Sequence, residues 1–420
     1  MATSGNFVQL HNHTHYSLLD GASKIPDLVK RAKELNMPAV GITDHGNMHG
    51  AYEMWSTAVK EGVKPIIGIE AYVTPETARQ DQTRVSWDTN WNPDIDPQHR
   101  RRNPNDVSGG GLITHLTMWA ETDEGLVNLM KASTDANLEG RVMRYPRMDK
   151  EILAKYSKGI IASSGCPSGI IQTRLLLGQF DEALRAAGEL QDIFGRDNFY
   201  IEFMDHGLKI EKQVTDGLLD IAKKLNAPLL ATNDSHYVRA EDAGSQDAML
   251  CINSGSTLDE PGRFKFDGTG YYLKSAEEMR ELFKDIPEAC DNTLEIAERC
   301  NVMFDDHEDG AFMPQFDCPE GWDETSLFLK KVEEGLERRY DGHPPIEVLK
   351  QADYECGVIC QMQFCGYFLV VADYINWAKS HGVMVGPGRG SAAGAMVAYA
   401  MGITELDPIK HGLILSLIHI

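Results

Sequence analysis

Short apolar runs alternate with amphipathic helical stretches from about residue 6 to residue 240, and this alternation most constrains the fold. "NFVQLHNH" has the pattern of a strand, "KIPDLVKRAKELNM" that of a helix, and "PAVGITDHG" that of a strand again. Strands that alternate with helices favour parallel strands, in an open doubly wound sheet or in a barrel. Polar residues fall at the carboxyl ends of the strands, where barrel enzymes collect their active-site groups.

Histidines, acids and one cysteine at these strand ends form a candidate metal site. His11 and His13 are two residues apart on the first strand, so their side chains point to the same side. Residues of the same types follow the later strands: Asp20, Asp44, His45, Glu70, His115, Cys166, Asp234 and His236.

This set of donors suits zinc, manganese or iron, and the thiolate favours zinc or iron at one position. It is too large for one tetrahedral ion, so a cluster of two or three ions is the economical interpretation. Such clusters hydrolyse phosphate esters, because one ion generates a hydroxide near neutral pH and another stabilises the leaving oxygen. A set of buried polar residues without metal is the alternative that spacing leaves open.

Length and composition limit the class of protein. A chain of 420 residues predicts two domains, or one large barrel with an extension. It has no apolar run of the roughly 18 residues that a membrane helix needs, and "MATSGNFVQL" lacks the features of a signal peptide. With eight scattered cysteines, a cytoplasmic protein without disulfides is expected. The net charge of −23 is mild evidence against a DNA partner, although bound metals would offset clustered acids.

Two stretches interrupt the alternating pattern. Between Pro75 and Gly111 the chain is polar and rich in turn residues, and it includes Arg100, Arg101 and Arg102. This stretch is either a solvated insertion or a loop that contacts the phosphates of DNA over the site. A second interruption, around 285–325, is rich in Asp, Glu, Gly and Pro and predicts a linker.

Several segments closely resemble a known family. "LHNHTHYSLLDGA", "VGITDHGNM", "PIIGIEAYV", "THLTMWA", "GCPSG" and "LATNDSHYV" resemble the PHP (polymerase and histidinol phosphatase) domain, in particular that of the bacterial C-family replicative DNA polymerases. "FKFDGTGYYLKSAEEM" and "GPGRGSAAGAMVAYAMGITELDPIKHGL" resemble the segments that follow it in those polymerases. The resemblance extends from about residue 6 to Gly412.

The resemblance implies an α/β fold with a distorted (β/α)7 barrel and a three-metal centre, followed by an incomplete, largely helical palm. Family members with the full ligand set remove nucleotides from the 3′ end of DNA, and in others the domain is structural. The catalytic group implied is a metal-bound hydroxide. All nine ligand positions of the family carry a metal-binding residue here: His11, His13, Asp20, His45, Glu70, His115, Cys166, Asp234 and His236.

Two further residues are predicted to support these ligands. Asp44 is expected to orient His45 or its neighbours. His15 lies outside the matched positions, and a hydrogen bond behind the ligands or on the substrate side is expected for it.

The stretch "VMVGPGRGSAAGAMVAYA" predicts a strand, a glycine-rich loop and a helix. Glycines and a helix N-terminus suit a phosphate, but a tight packing turn explains the pattern equally well. In the resembling polymerases this segment belongs to the palm and contacts the triphosphate of the incoming nucleotide. The match therefore implies that Arg389, Gly390 and Ser391 bind phosphate.

The polymerase carboxylates that hold Mg²⁺ follow the glycine loop in that family, and the chain ends before them with "ILSLIHI". The ending resembles a translated vector junction. We predict a metal-dependent nuclease domain over 1–285, a linker over 286–325, the start of the palm over 326–414 and a non-native junction over 415–420. A chain organised in this way is not expected to polymerise DNA.

Three functions are consistent with these features. The leading one is part of a replicative polymerase whose PHP domain is a 3′–5′ proofreading exonuclease. The others are a structural platform that binds partners, with an idle metal site, and a phosphatase acting on small phosphomonoesters. The expected partners are a DNA 3′ end or primer–template and, in the longer protein, the sliding clamp and other replisome subunits, with no membrane.

Overall fold

The computed structural model describes residues 6–88, 103, 105–106, 109–304 and 314–413. The chain divides into two compact units, Met1–Phe304 and Asp305–Ile420. The predicted DNA contacts at Arg100, Arg101 and Arg102 and the predicted junction at 415–420 lie outside the described residues.

A mixed sheet forms the centre of the first unit. Its described strands are β1 (Ala39–Ile42), β2 (Lys64–Val73), β3 (Thr114–Ala120), β4 (Arg141–Val142), β5 (Tyr145–Met148), β6 (Ile160–Ser163), β7 (Phe199–Phe203) and β8 (Leu229–Ala231). The strands lie in the order β4-β5-β2-β3-β6-β7-β8, and β1 pairs with β2.

The segment before β1 closes this sheet into a barrel. Gln9 bridges in parallel to Val40 of β1, and Asn12 bridges in parallel to Ser235, which follows β8. The close approach depends on Gly41, where a Cβ atom would lie 2.5 Å from the carbonyl oxygen of Leu10. The ring therefore consists of the N-terminal segment, β1, β2, β3, β6, β7 and β8, and the predicted distorted barrel is confirmed.

One strand of the barrel runs against the others. β3 is antiparallel to both of its neighbours, β2 and β6, whereas β1–β2, β6–β7 and β7–β8 are parallel pairs. The expectation of parallel strands therefore holds for these pairs and not for β3. The reversal matters for the site because it brings the amino end of β3, rather than its carboxyl end, to the end of the barrel where the other strands terminate.

Helices cover the outside of the barrel. In the described part of the first unit they are α1 (Ile25–Glu34), α2 (Ala51–Glu61), α3 (Asp123–Glu139), α4 (Lys150–Lys155), α5 (Ile170–Leu176), α6 (Phe180–Phe194), α7 (Lys209–Leu225), α8 (Ala243–Ser254), α9 (Ala276–Leu282) and α10 (Pro287–Arg299). The longer ones bury apolar residues against the barrel, as α1 does with Ile25, Leu28 and Val29.

Helix α10 lies where the sequence predicts a linker over 286–325. It buries Ala289, Cys290 and Ile296 in the apolar clusters of the first unit. A proline at its first position suits a helix start, because that residue needs no backbone N–H there. The first unit consequently extends to Phe304, beyond the predicted domain end at 285.

The second unit is helical in its described part. Its helices are α11 (Glu324–Arg339), α12 (Ile346–Gln361), α13 (Cys365–Ser380) and α14 (Met396–Ala400), and they share one apolar cluster. The strand predicted for "VMVG" is not formed: residues 383–386 have no regular secondary structure, and a 3₁₀ turn at Ser391–Gly394 leads into α14.

Within the described ranges, no one helix has the length and apolarity to cross a membrane, although the bent pair Ile346–Gln361 and Cys365–Ser380 satisfies both criteria when taken together.

Candidate metal centre

All nine predicted ligands meet at one end of the barrel. His11 and His13 come from the N-terminal segment, and Asp20 comes from the turn after it. His45 follows β1, Glu70 lies within β2, His115 is the second residue of β3, Cys166 follows β6, and Asp234 and His236 follow β8. His115 reaches this end only because β3 is reversed. The structure thus brings the set together, and the role of its members as ligands stays a prediction.

Glu70 lies in the middle of the cluster and is 1% exposed. Its carboxylate oxygens are 2.7 Å from Nδ1 of His45, 3.2 Å from Nδ1 of His115, 3.5 Å from Nε2 of His11 and 3.6 Å from Nε2 of His13. A carboxylate with both oxygens among four imidazoles is placed to bridge two cations.

Two further acids, Asp234 and Asp20, contact the histidines of the cluster. Oδ1 of Asp234 lies 3.0 Å from Nε2 of His13 and 3.3 Å from Nε2 of His11. Oδ2 of Asp20 lies 3.0 Å from Nε2 of His45 and 3.8 Å from Nε2 of His236. Each acid therefore links two imidazoles, and the two acids extend the cluster on either side of Glu70.

Cys166 contributes a sulfur donor beside His115. Its Sγ lies 3.2 Å from Nδ1 of His115. Burial, with the negative charges of Glu70 and Asp234, raises the pKa of the Cys166 thiol well above its usual range. The sulfur is therefore a thiol in the bare protein, and a nearby cation would be needed to deprotonate it.

Three subsets of the cluster have ligand atoms within 4.8 Å of one another: His13 with His45 and His236, His11 with His13 and Glu70, and His45 with Glu70 and His115. Several buried polar atoms of these residues make no hydrogen bond of good geometry, although other polar atoms of the cluster lie close to most of them: Oδ1 of Asp20, Nδ1 of His45, both oxygens of Glu70, Oδ1 of Asp234 and Nε2 of His236. Unpartnered buried polar atoms are rare in proteins, and divalent cations would satisfy these. The donor set therefore fits a metal cluster.

The protonation states of His13 and Glu70 suit metal binding. Burial, together with the neighbouring His45 and His236, lowers the pKa of His13 to about 3. His13 is therefore a neutral imidazole, the form that binds a metal. Burial alone would raise the pKa of Glu70, but His115 and His45 hold it well below its usual range, so Glu70 is a carboxylate.

Glu202, which the sequence analysis did not single out, contacts the ring nitrogen of His11 that faces away from Glu70 and Asp234. Oε1 of Glu202 lies 2.7 Å from Nδ1 of His11 and accepts a hydrogen bond of 2.5 Å from Oγ1 of Thr232. Oε2 accepts a hydrogen bond from Oγ of Ser163. The only sequence signal is an acid within the apolar strand "NFYIEF", where a glutamate needs partners to be buried.

Asp44 contacts the histidines of the cluster through Ser17, and its predicted part in orienting His45 or its neighbours stays a prediction. Its carboxylate accepts hydrogen bonds from the backbone N–H of Thr14 at 2.6 Å and from Oγ of Ser17 at 2.8 Å. Ser17 Oγ in turn lies 2.9 Å from Nδ1 of His13 and accepts the backbone N–H of His45 at 3.0 Å. Asp44 therefore fixes the ring of His13 through Ser17, and it reaches His45 only through that residue's backbone.

His15 contacts groups other than the nine predicted ligands. The ring of His15 packs on Tyr16, with centroids 4.3 Å apart, and its Nδ1 lies 3.4 Å from the carbonyl oxygen of Ser23. In the second unit, Arg389, Gly390 and Ser391 are exposed, and Gly390 has a φ of 71° that suits glycine. Their predicted role in binding phosphate stays a prediction.

Comparison with known families identifies the class of this barrel. Residues 9–206 match the model of the PHP domain, and residues 326–416 match the model described as the bacterial DNA polymerase III alpha NTPase domain. The barrel with its histidine and carboxylate cluster is therefore that of a PHP domain.

The relatives identify the family more narrowly. DNA polymerase III subunit alpha of Mycobacterium tuberculosis is 51% identical over 414 residues, which cover 98% of this chain and 34% of that protein. The subunit of Mycobacterium leprae is 52% identical over 410 residues, or 97% of this chain and 34% of that protein. The chain belongs to the family of bacterial DNA polymerase III alpha subunits and spans about a third of the length of these relatives.

Among solved structures, a candidate metal-dependent phosphoesterase from Bifidobacterium adolescentis is similar with a TM-score of 0.33 and 17% identity, covering 66% of this chain and 96% of that chain. An amidohydrolase from Chromobacterium violaceum has a TM-score of 0.32 and 15% identity, covering 55% of this chain and 88% of that chain.

Proposed function

We propose that the PHP domain of this chain is a metal-dependent 3′–5′ exonuclease that removes nucleotides from DNA ends. The observation that carries the proposal is the position of Glu70, whose two buried carboxylate oxygens lie among four histidines at the end of the barrel. For the longer protein to which these residues belong, we propose template-directed DNA synthesis in chromosome replication, as the name of the relatives suggests.

The cluster is suited to hold two or three divalent ions, of zinc, manganese or iron. Glu70 would be shared between ions held by different subsets of the histidines. Asp20 and Asp234 would add negative charge to offset that of the ions. Bound ions would supply a hydroxide near neutral pH and stabilise the charge on a leaving oxygen. The protein contributes orientation, because Glu202 and Ser17 fix the rings of His11 and His13 from the side away from the other donors.

The expected partners follow from this function. We propose that the substrate is the 3′ end of a primer–template and that the longer protein works with the sliding clamp and other replisome subunits. We also propose a cytoplasmic location.

Digestion of a mismatched primer–template labelled at the 5′ end of the primer tests the proposal. With added manganese or zinc, we expect the primer to shorten one nucleotide at a time from its 3′ end. A double variant, His13→Ala with Asp234→Ala, should leave the primer intact, because it removes two neighbouring donors that lie 3.0 Å apart.

Two further arms separate the alternatives. A small phosphomonoester is included as a second substrate, and faster turnover of it than of DNA would favour a phosphatase. Metal analysis of the same samples is the other arm. A filled site without turnover of either substrate would contradict the exonuclease proposal and favour a structural platform.

A further inference from the structure

We propose that Phe264 and Phe266 form a stacking platform that binds the unpaired terminal base of a nucleic-acid strand next to the metal cluster, with Arg144 as a contact for its phosphate. This inference rests on the proposed function and specifies how that site recognises its substrate. The two phenylalanines lie in the loop between α8 and α9, outside the residues matched by the PHP model.

A row of aromatic rings leads from the cluster towards solvent. The ring of Phe266 meets His236 edge to face, with centroids 4.6 Å apart, and meets Tyr271 with centroids 4.7 Å apart. The ring of Phe264 follows, 6.1 Å from Phe266, and 62% of Phe264 is exposed. Phe264, the outermost ring, is therefore exposed, and only the ring of Phe266 separates it from the predicted ligand His236.

An ion pair fixes the loop that carries these rings. Arg263, directly before Phe264, binds Asp247 of α8 through two hydrogen bonds of 2.5 and 2.6 Å. Its Nε also donates to the carbonyl oxygen of Leu258 at 3.1 Å, and its side chain is only 8% exposed. Because Arg263 anchors this loop to α8 and to Leu258, the platform exists before any substrate arrives, which reduces the cost of ordering it on binding.

An exposed arginine, Arg144, is linked by hydrogen bonds to the segment that carries Asp20. Arg144 donates to Oδ1 of Asn253 on α8 at 2.7 Å. Asn253 in turn donates to the carbonyl oxygen of Leu19, the residue before Asp20. The guanidinium also lies over the ring of Tyr145, 5.3 Å from its centroid. A guanidinium has five N–H donors, so one bond to Asn253 leaves donors for a phosphate oxygen.

These groups together select a nucleotide rather than a simple phosphate ester. Aromatic rings stack on the face of a base whatever its sequence, and a cation beside them binds the backbone. An internal base of a duplex has both faces covered by its neighbours, so the platform can take only a base at a strand end. An unpaired end base suits it best, because it is free to turn away from the opposite strand. A metal cluster next to such a platform would act on a frayed terminal nucleotide.

The test uses the full chain and two single-stranded DNA oligonucleotides that differ only at the 3′ terminus, which carries either 2-aminopurine or an abasic sugar. Stacking quenches 2-aminopurine fluorescence, so binding is read without turnover. We expect quenching with the native protein and loss of quenching with Phe264→Ala. The matched control is Tyr354→Ala, because Tyr354 is 63% exposed in the second unit, and this variant should behave as the native protein does.

Turnover gives the second readout. Phe264→Ala should raise the KM for the base-bearing oligonucleotide about tenfold and leave the KM for the abasic one unchanged, since one stacked base contributes roughly that factor. Arg144→Gln should weaken binding of both oligonucleotides equally and reduce the dependence on salt.

The outcomes separate this inference from the proposed function. If the native protein quenches the base but cleaves neither oligonucleotide, the exonuclease proposal fails and the platform stands. If the native protein cleaves both and Phe264→Ala changes neither quenching nor KM, the platform is refuted and the exonuclease stands.

Discussion

The carboxylate of Glu202 lies 2.7 Å from Nδ1 of His11, on the opposite side of the imidazole from Glu70 and Asp234, which face Nε2. Burial alone would lower the pKa of His11, but Glu202, Asp234 and Glu70 raise it well above its usual value, so the bare ring favours the protonated form. In the neutral ring that metal binding requires, the proton lies on Nδ1, because an ionised carboxylate only accepts hydrogen bonds. Nε2 is then left with a free lone pair towards the cluster. Glu202 thus determines which nitrogen of His11 is available to a metal.

The first prediction concerns this contact. Glu202→Gln keeps the shape of the side chain but removes its charge, and we expect metal affinity to fall by about 10- to 100-fold. Equilibrium dialysis with elemental analysis measures the affinity, and Glu277→Gln, at an exposed position, is the matched control. An affinity equal to that of the native protein would show that the contact does not orient a ligand.

The second prediction concerns metal and stability. Ions that bind only the folded barrel stabilise it, by about 2.7 kcal/mol at a concentration 100 times the dissociation constant. We expect added manganese or zinc to raise the melting temperature of the native protein by several degrees. The double variant His13→Ala with Asp234→Ala should show no such shift. A metal-dependent shift of equal size in both proteins would place the binding elsewhere.

The third prediction concerns Arg147, which is fully buried and has no acidic partner in its hydrogen bonds. Its guanidinium donates to the backbone carbonyl oxygens of Arg79, Asp81, Leu112 and Gly140. A lysine cannot reproduce this fork of donors, so Arg147→Lys should lower the free energy of unfolding by roughly 2–4 kcal/mol.

Urea unfolding measures this loss. The control is Arg141→Lys, at an exposed position on β4, which should change stability by less than about 0.5 kcal/mol. Equal stability of Arg147→Lys and the native protein would mean that the buried carbonyl groups find other donors.

The fourth prediction concerns Glu355 in the second unit, whose carboxylate accepts the backbone N–H groups of Met396 and Val397 at 3.1 and 2.9 Å. These groups begin α14. Glu355→Ala would leave them buried without an acceptor, and we expect a loss of roughly 2–4 kcal/mol. Asp353→Ala, at an exposed position on the same helix, should cost far less.

The pH dependence of this contact follows from its burial, which raises the pKa of Glu355 although Val397, Gln351 and Met396 donate to it. The folded state therefore binds the proton more tightly than the unfolded state does. The proton-linked part of the contribution of Glu355 is full below the usual pKa of glutamate and is lost as pH rises through the raised value, while the bonds to Met396 and Val397 still separate the native protein from Glu355→Ala. Urea unfolding across this range should show native stability falling relative to Glu355→Gln, and a constant difference would contradict the expectation.

Much of the barrel and its cluster could be predicted from the sequence, because strand ends carry the polar residues in short, recognisable motifs. "HNH" around His11 and "NDSH" around Asp234 can be placed at strand ends without knowing which strands pair with one another. The direction of β3 could not be predicted, because an apolar run has the same pattern in either direction. His115 was singled out from its motif, but only the reversed strand explains how it reaches the cluster.

The supporting contacts were harder to predict because they join residues far apart in the chain. Glu202 lies 191 residues from His11, and its sequence position only marks it as an acid in a buried strand. Nothing in the sequence distinguishes Ser17 from an ordinary turn residue. Its role follows only from the fold, which places Asp44 and His13 within hydrogen-bond distance of its hydroxyl. Helix α10 was missed because the acidic, proline-containing stretch after it dominated the composition of that region.

The reversal of β3 also makes the connection between β2 and β3 a place where extra residues can be inserted. Parallel neighbours need a crossover that returns to the far end of the barrel, whereas an antiparallel pair is joined at one end. Val73 pairs with Thr114, so the chain between β2 and β3 leaves and re-enters the barrel at the rim that holds Glu70 and His115. Lengthening that connection costs only about 0.6 kcal/mol for each doubling. A protein engineer could therefore graft a peptide or a small domain there and have it tethered at the rim that carries the predicted ligands, with the barrel's own strand pairing left intact.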